Sequence, residues 1–395
     1  MKLFKSLLVA PATLGLLAPL SATANELNLT DVSNYSSTEE VESISEFDPA
    51  KELAVTNSRV DGIEARLNDF EAGSFSETTS ASFGVDFVVG AVDGGTSQKT
   101  QAIYGYGIGL TTSFTGEDSL DVTIDAGSGQ GYLAEADTNS TSGDVLIVDG
   151  ITYTFPIGEK LTVLVGDSTS GSALYSTACA YGGFTNTLDD CGNGNSAFGT
   201  NSDGSVGFSA SYDIGGGFTG AIGYVGSGST TGGLMTDEGI DYFGGQIAYS
   251  TDSYGASVTY ATKDESATAE TVYWGLNGYW TPSESGLIPS ISVGVETGLV
   301  SDETGGVSGG AASRRDTKQW FAGIQWDEAG PGTLGAAYGS AGAIEEDHEQ
   351  LNMYEVFYTY PVNDSMTITP AAFVKETAGT ADDETGIMVK TSFSF

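Results

Sequence analysis

From Thr78 to the last residue the chain keeps a two-residue hydrophobic period, and that period decides what it can fold into. Phe83, Val85, Phe87 and Val89 alternate with Gly84, Asp86, Val88 and Gly90. Tyr104, Tyr106, Ile108 and Leu110 repeat the pattern, as do Leu120, Val122 and Ile124. Further segments run through Ile151–Phe155, Leu161–Val165, Val206–Tyr212, Phe218–Tyr224, Phe243–Tyr249, Tyr254–Tyr260 and Val272–Trp280. The last six are Ile291–Val295, Trp320–Trp326, Leu334–Tyr338, Tyr354–Tyr360, Met366–Val374 and Ile387–Phe395. Successive side chains of a strand point to opposite faces, so each segment is a strand with one apolar and one polar or glycine face.

A one-faced pattern suits a soluble sandwich or a membrane barrel. The links between segments separate the two. Counted from the first strand, even-to-odd links are short: Gly116–Ser119, Gly158–Lys160, Gly215–Gly217, Asp252–Ser253, Asp327–Gly332 and Asn363–Asp364. Odd-to-even links are longer: Ser128–Asp144, Ser168–Asp203, Ser301–Asp316 and Ala341–Glu349. Outer-membrane barrels alternate short periplasmic turns with long outer loops, whereas a soluble sandwich has no reason to sort its loops by parity. Trp274 with Trp280, Trp320 with Trp326 and Tyr354 with Tyr360 lie near opposite strand ends, as two interfacial aromatic girdles require. The expected fold is all-β: a transmembrane antiparallel β-barrel of about 16 strands over residues 78–395, with a short N-terminal coiled-coil helix.

The segments before the barrel are of other kinds. Residues 1–24 form a signal peptide, with Lys2 and Lys5, an apolar run from Leu7 to Leu20, and the small residues Ala22-Thr23-Ala24. Residues 25–50 are polar, acidic and aperiodic, and are expected to be flexible. Residues 51–72 carry heptads with Leu53, Val60 and Leu67 at one seam position and Thr56, Ile63 and Phe70 at the other. Arg59 and Arg66 face Glu64 and Glu71 in the manner of interchain pairs, which reads as a periplasmic coiled coil; an amphipathic helix packed on its own domain is the alternative. At the other end, Ile387, Val389, Phe393 and Phe395 alternate to a terminal Phe, the signal that barrel assembly machinery reads.

Composition narrows the function. With 53 acidic and 13 basic residues the net charge is −40, which excludes a phosphate-neutralising nucleic-acid surface. One histidine and two cysteines give no His-rich metal site and no zinc ribbon, and no cofactor motif is present. A catalytic barrel needs a positioned base, and His348 lies in the acidic run Glu345-Glu346-Asp347-His348-Glu349 with no identifiable nucleophile. The chain is therefore read as a non-enzyme. A secreted acidic adhesin or calcium-binding protein is the competing class, but its acidic-glycine clusters do not recur at a fixed period.

The start MKLFKSLLVAPATLGLLAPLSATANELNLTDVSNY, the helix KELAVTNSRVDGIEARLNDFEAGSFS and the strand ending VDFVVGAVDGG resemble the cyanobacterial outer-membrane porins. These are grouped with carbohydrate-selective porins and sometimes labelled iron-uptake porins. The resemblance implies a trimeric passive diffusion channel for small hydrophilic solutes. Members usually carry a surface-layer-homology domain between the start and the helix; here Ser45-Glu46-Phe47-Asp48-Pro49 runs almost directly into Lys51. Wall tethering by that route is not expected.

If the apolar positions face lipid, the opposite positions face the lumen: Asp86, Asp121, Asp125, Glu296 and Glu355 against Lys263, Lys375 and Lys390. The 168–203 link is the longest, and by analogy with sixteen-stranded general porins it would narrow the barrel. It holds Cys179 and Cys191, which an oxidising envelope is expected to pair, free thiols being the alternative. Asp189, Asp190 and, at its end, Asp203 are the candidates for constriction charges. An acidic mouth is expected to enrich cations mildly.

Overall fold

The computed structural model describes residues 78–94, 99–138, 142–189, 191, 206–227, 233–236, 239–266, 269–283, 286–301, 315–379 and 382–395. The signal peptide, the polar segment, the heptad seam (Leu53, Val60, Ile63, Leu67, Phe70), Asp190 and Asp203 lie outside the described residues.

Among the described residues the alternating segments form one antiparallel sheet of β1 (Thr79–Asp93), β2 (Lys99–Thr112), β3 (Ser119–Gly127), β4 (Ile147–Ile157), β5 (Leu161–Asp167), β6 (Val206–Gly215), β7 (Phe218–Gly226), β8 (Asp241–Ser250), β9 (Tyr254–Ser266), β10 (Ala269–Trp280), β11 (Ser290–Val300), β12 (Thr317–Ala329), β13 (Gly332–Ser340), β14 (Ile344–Glu345), β15 (Asn352–Asn363), β16 (Met366–Lys375) and β17 (Glu384–Ser394). The two-residue β14 only flanks β12, so the other sixteen strands are the staves of the wall. Each stave pairs with its sequence neighbours, and β1 pairs with both β2 and β17, which closes the barrel. At the closure Val85 lies opposite Tyr106 on one side and Phe393 on the other. The Phe83 N–H donates to the Phe395 carbonyl at 2.8 Å, the reverse bond is 3.1 Å, and the two rings stack at 5.8 Å. Phe393 meets Phe87 edge-on at 6.3 Å. Closure leaves no edge strand to template association.

Loop parity holds with two exceptions: the β1–β2 link on the long-loop side, 94–98, is shorter than the β2–β3 turn, 113–118, and a second pair is exchanged outright. The β9–β10 link, on the long-loop side, is only 267–268, while the β10–β11 turn on the other side spans 281–289.

The outer face is apolar throughout the wall. Phe87, Ile222, Ile247, Leu276, Val293 and Val356 are each close to half exposed or more. So much contiguous apolar surface is incompatible with water and matches bilayer hydrocarbon. Trp274, Trp320 and Tyr354 stand toward the long-loop ends of their strands, and Trp280, Trp326 and Tyr360 toward the short-turn ends. Rings touch between strands in both belts: Tyr338 with Tyr354 at 4.4 Å in one, Phe218 with Tyr249 at 4.7 Å in the other.

One short turn is pinned by a single carboxylate. Asp118, between β2 and β3, accepts from the Tyr153 hydroxyl (2.6 Å), the Phe114 and Thr115 N–H groups (2.9 and 2.8 Å) and the Ser113 and Thr115 hydroxyls (both 2.8 Å). The Tyr153 bond foremost, with the Thr115 and Ser113 donors, holds its carboxyl well below the ordinary range against the opposing effect of desolvation. A depressed carboxyl contributes stability that is present above its unfolded value and lost as pH falls through the folded one. Asp118→Asn is therefore expected to lower the melting temperature at neutral pH and to lose that deficit well below pH ~4, near the ordinary Asp value. Melting followed by heat-modifiable gel migration across pH checks this; equal curves at pH 7 would contradict it.

Candidate functional site: the lumen constriction

The first half of the long β5–β6 link folds into the barrel. Backbone inside a barrel still needs hydrogen-bond partners, and here the inner wall supplies them through polar side chains at inward positions. The Leu174 N–H donates to Ser209 Oγ on β6 (3.1 Å). On β8, Gln246 Oε1 accepts from the Ser176 N–H at 2.7 Å, and its Nε2 donates to the Ser176 carbonyl at 2.8 Å. Asn277 Nδ2 on β10 donates to the Thr177 carbonyl (3.0 Å). The Ala180 N–H reaches Ser292 Oγ on β11 (2.9 Å), and the Gly182 N–H reaches Gln325 Oε1 on β12 (2.9 Å). The loop enters closely against β7, where a Cβ on Gly223 would overlap the Gly171 carbonyl.

The traverse ends on Glu355 of β15. Its carboxylate, 4% exposed, accepts from the Tyr181 hydroxyl at 2.5 Å and from the Phe184 and Thr185 N–H groups at 3.3 and 2.8 Å. Burial, with Glu355 alongside, pushes the Tyr181 phenol up, so it remains a donor at any working pH. Cys179 and Cys191 form a disulfide with Cα atoms 5.9 Å apart, enclosing this latch.

A second loop joins the first. The 3-10 turn Gly131–Ala136 of the β3–β4 link packs Leu133 and Ala136, both fully buried, against β1 and β17. Its Glu135 carboxylate accepts from the Thr187 hydroxyl (3.0 Å) and N–H (3.2 Å), and from Lys375 Nζ on β16 at 2.6 Å. Glu135 and Lys375 thereby clasp both loops to the wall.

Leu133, Tyr181, Phe184 and Leu188 from the loops bury against Val88, Phe321, Met353, Phe357, Phe373 and Met388 from the wall. Parity reasoning treats the interior as polar; the structure shows part of it packed and apolar. The loop has few apolar residues, and these are the ones that seat it.

All eight charged residues placed by parity have inward positions, alternating with outward apolar neighbours such as Phe87, Val295 and Val356. Their roles differ. Glu355, Glu296 and Asp125 are covered rather than facing open lumen, Glu296 lying 3.3 Å from Gln319 Nε2. Each lysine is engaged: Lys375 with Glu135, Lys390 with the Ala136 carbonyl (3.1 Å) and above the Phe184 ring (5.2 Å), and Lys263 above the Tyr242 ring (5.5 Å). Asp86 and Asp125 lie opposite Gly105 and Gly107 of β2, so the wall stripe between them is bare of side chains. Asp121 accepts from the Thr111 and Ser119 hydroxyls at 2.7 and 2.6 Å. Asp189 is half-buried in the inward loop, its N–H donating to the Thr185 carbonyl at 3.0 Å.

Glu135 and the receiving residues Gln246, Asn277, Ser292 and Gln325 escaped the sequence reading. A usable signal existed: amides and Ser at inward positions, where a plain water-filled wall has no need of them. Among the described residues no group of three or more His, Cys, Asp or Glu is gathered as for a metal. His348 is exposed, its Nδ1 3.6 Å from Glu345, and Asp347 pairs with Arg315 at 3.0 Å.

No family model matches the chain. An uncharacterised protein of Nostoc sp. (strain PCC 7120) is 32% identical over 126 residues, covering 27% of this chain and 22% of that relative. Among solved structures, Pseudomonas putida OprB superposes with a TM-score of 0.59 at 12% identity, over 80% of this chain and 94% of the other. An anion-selective porin from Comamonas acidovorans gives 0.55 at 14%, over 80% of this chain and all of that one. The likeness establishes the fold: this is a sixteen-stranded porin-type barrel.

Proposed function

We propose that the protein is an outer-membrane porin, a passive channel for small hydrophilic solutes, both inorganic ions and small sugars, with a mild preference for cations. A barrel with an apolar belt outside and a loop-narrowed, partly polar interior suits diffusion rather than catalysis. The observation that carries the charge preference is an imbalance. Lys375 is balanced by Glu135, which leaves Lys263 and Lys390 against the acids of the inner wall, Asp86 and Asp121 among them on one stretch of it. The Comamonas neighbour is described as anion-selective. That is no objection, because the sign of selectivity follows wall charge rather than fold. A homotrimer in outer-membrane lipid, inserted by the barrel assembly machinery with Phe393 and Phe395 as its signal, belongs to the same reading. The heptad seam Leu53, Val60, Ile63, Leu67 and Phe70 would help hold protomers together.

Reversal potentials of the reconstituted protein in a KCl gradient test the charge claim. Cation preference is expected, fading at high salt as the Debye length drops toward ~3 Å near 1 M. Anion preference in the wild type would overturn it.

A further inference from the structure

Asp125 is 5% exposed, and its Oδ1 is buried with no hydrogen-bond donor. A buried carboxylate left unpaired is costly, so something must answer its charge. The protein side supplies the opposite of an answer. Asp149 of β4 lies two positions from Ile147, the residue paired with Asp125, and it is a second negative charge. Asp149 is there because the ladder is irregular: Thr123 pairs with Gly150 and Ile124 with Val148, leaving Asp149 as the extra residue of a β-bulge. Bulges of this kind re-aim a side chain. Across β2 the wall opposite Asp125 is Gly107, where even a Cβ would come within 3.1 Å of Oδ1. Two acids are thus brought together, one desolvated and unpaired, beside a wall position kept empty.

We infer that Asp125 and Asp149 form a cation-binding site on the inner wall near the long-loop end of β3, suited to a hard, oxygen-seeking ion such as Ca2+. Carboxylate oxygens are the ligands such ions prefer, and two carboxylates with water completing the shell make a weak, exchangeable site rather than a structural one. In a conducting pore such an ion occupies the path of monovalent cations and slows them. The inference rests on the porin reading.

The test is K+ current through the full chain in planar bilayers while CaCl2 is added. Saturable reduction of the current is expected in the wild type. Asp125→Asn and Asp149→Asn are each expected to raise the half-blocking Ca2+ concentration at least about tenfold, the equivalent of ~1.4 kcal/mol of binding. The Asn at 125 keeps the shape, and 149 is exposed, so heat-modifiable migration should remain that of the wild type. Absence of Ca2+ block in the wild type, or an unchanged half-block in both variants, would overturn the site; the latter would mean that a proton rather than an ion neutralises Asp125. Reversal potentials in KCl alone report on the porin reading separately. A cation-preferring wild type whose variants block unchanged loses the site and keeps the pore.

Discussion

Glu355→Ala is expected to widen the pore. The carboxylate receives three donors from one stretch of the inward loop, Tyr181, Phe184 and Thr185, in a place almost closed to water. Hydrogen bonds to a charged acceptor contribute more than neutral ones, and removing the acceptor leaves buried donors unsatisfied; together about 3 kcal/mol is at stake. That corresponds to roughly a hundredfold shift between seated and lifted positions of the 181–188 segment. The rest of the loop retains its bonds to Ser209, Gln246, Asn277, Ser292 and Gln325, and the disulfide limits its travel. The barrel wall should persist, because β15 pairs with both β13 and β16 regardless of this side chain. Single-channel conductance and the size limit for neutral sugars should both rise, with Glu355→Gln, which keeps one acceptor oxygen, falling between. Wild-type conductance in the alanine variant would mean that the latch does not set the constriction.

What the sequence made legible was whatever depends on a period of two. Outward Phe87, Trp274 and Val356 and inward Asp86, Glu296 and Lys390 follow from alternation alone, because a strand cannot place neighbours on the same face. The closing seam is not given by alternation: the strand ending in Phe393 and Phe395 was legible as an assembly signal, and its pairing with the first strand comes from the structure. The interior was less so. Parity says that Glu355 points inward and is silent on what it meets there. Its partners sit some 170 positions earlier in an aperiodic loop, tied by bonds that leave no local pattern. The apolar inward residues Met353, Phe357 and Phe373 break the polar rule on β15 and β16. Such breaks mark where a loop covers the wall, and Leu133, Phe184 and Leu188 are the loop residues that match them.

The clasp at Lys375 separates geometry from charge, and Lys375→Met is expected to change both. Its Nζ lies 2.6 Å from Glu135 Oε1 and 3.3 Å from Thr187 Oγ1, so one side chain holds two loops and balances the Glu135 carboxylate. The side chains are 28% and 13% exposed, so water screens part of the interaction and about 1–2 kcal/mol is a reasonable loss, below that of a fully buried pair. Loss of the cation leaves Glu135 as added negative charge where the two inward loops meet the wall, and the reversal potential should move toward stronger cation preference. Loosening of the 3-10 turn against the inward loop should raise conductance by a smaller amount than Glu355→Ala does. The double variant Glu135→Gln with Lys375→Met removes both charges together. Its selectivity should return to that of the wild type while its conductance stays raised, because the charges cancel but the lost bonds do not return. If the single variant left selectivity unchanged, Lys375 and Glu135 would lie outside the ion path, and the acids of β1 and β3 would carry the preference alone.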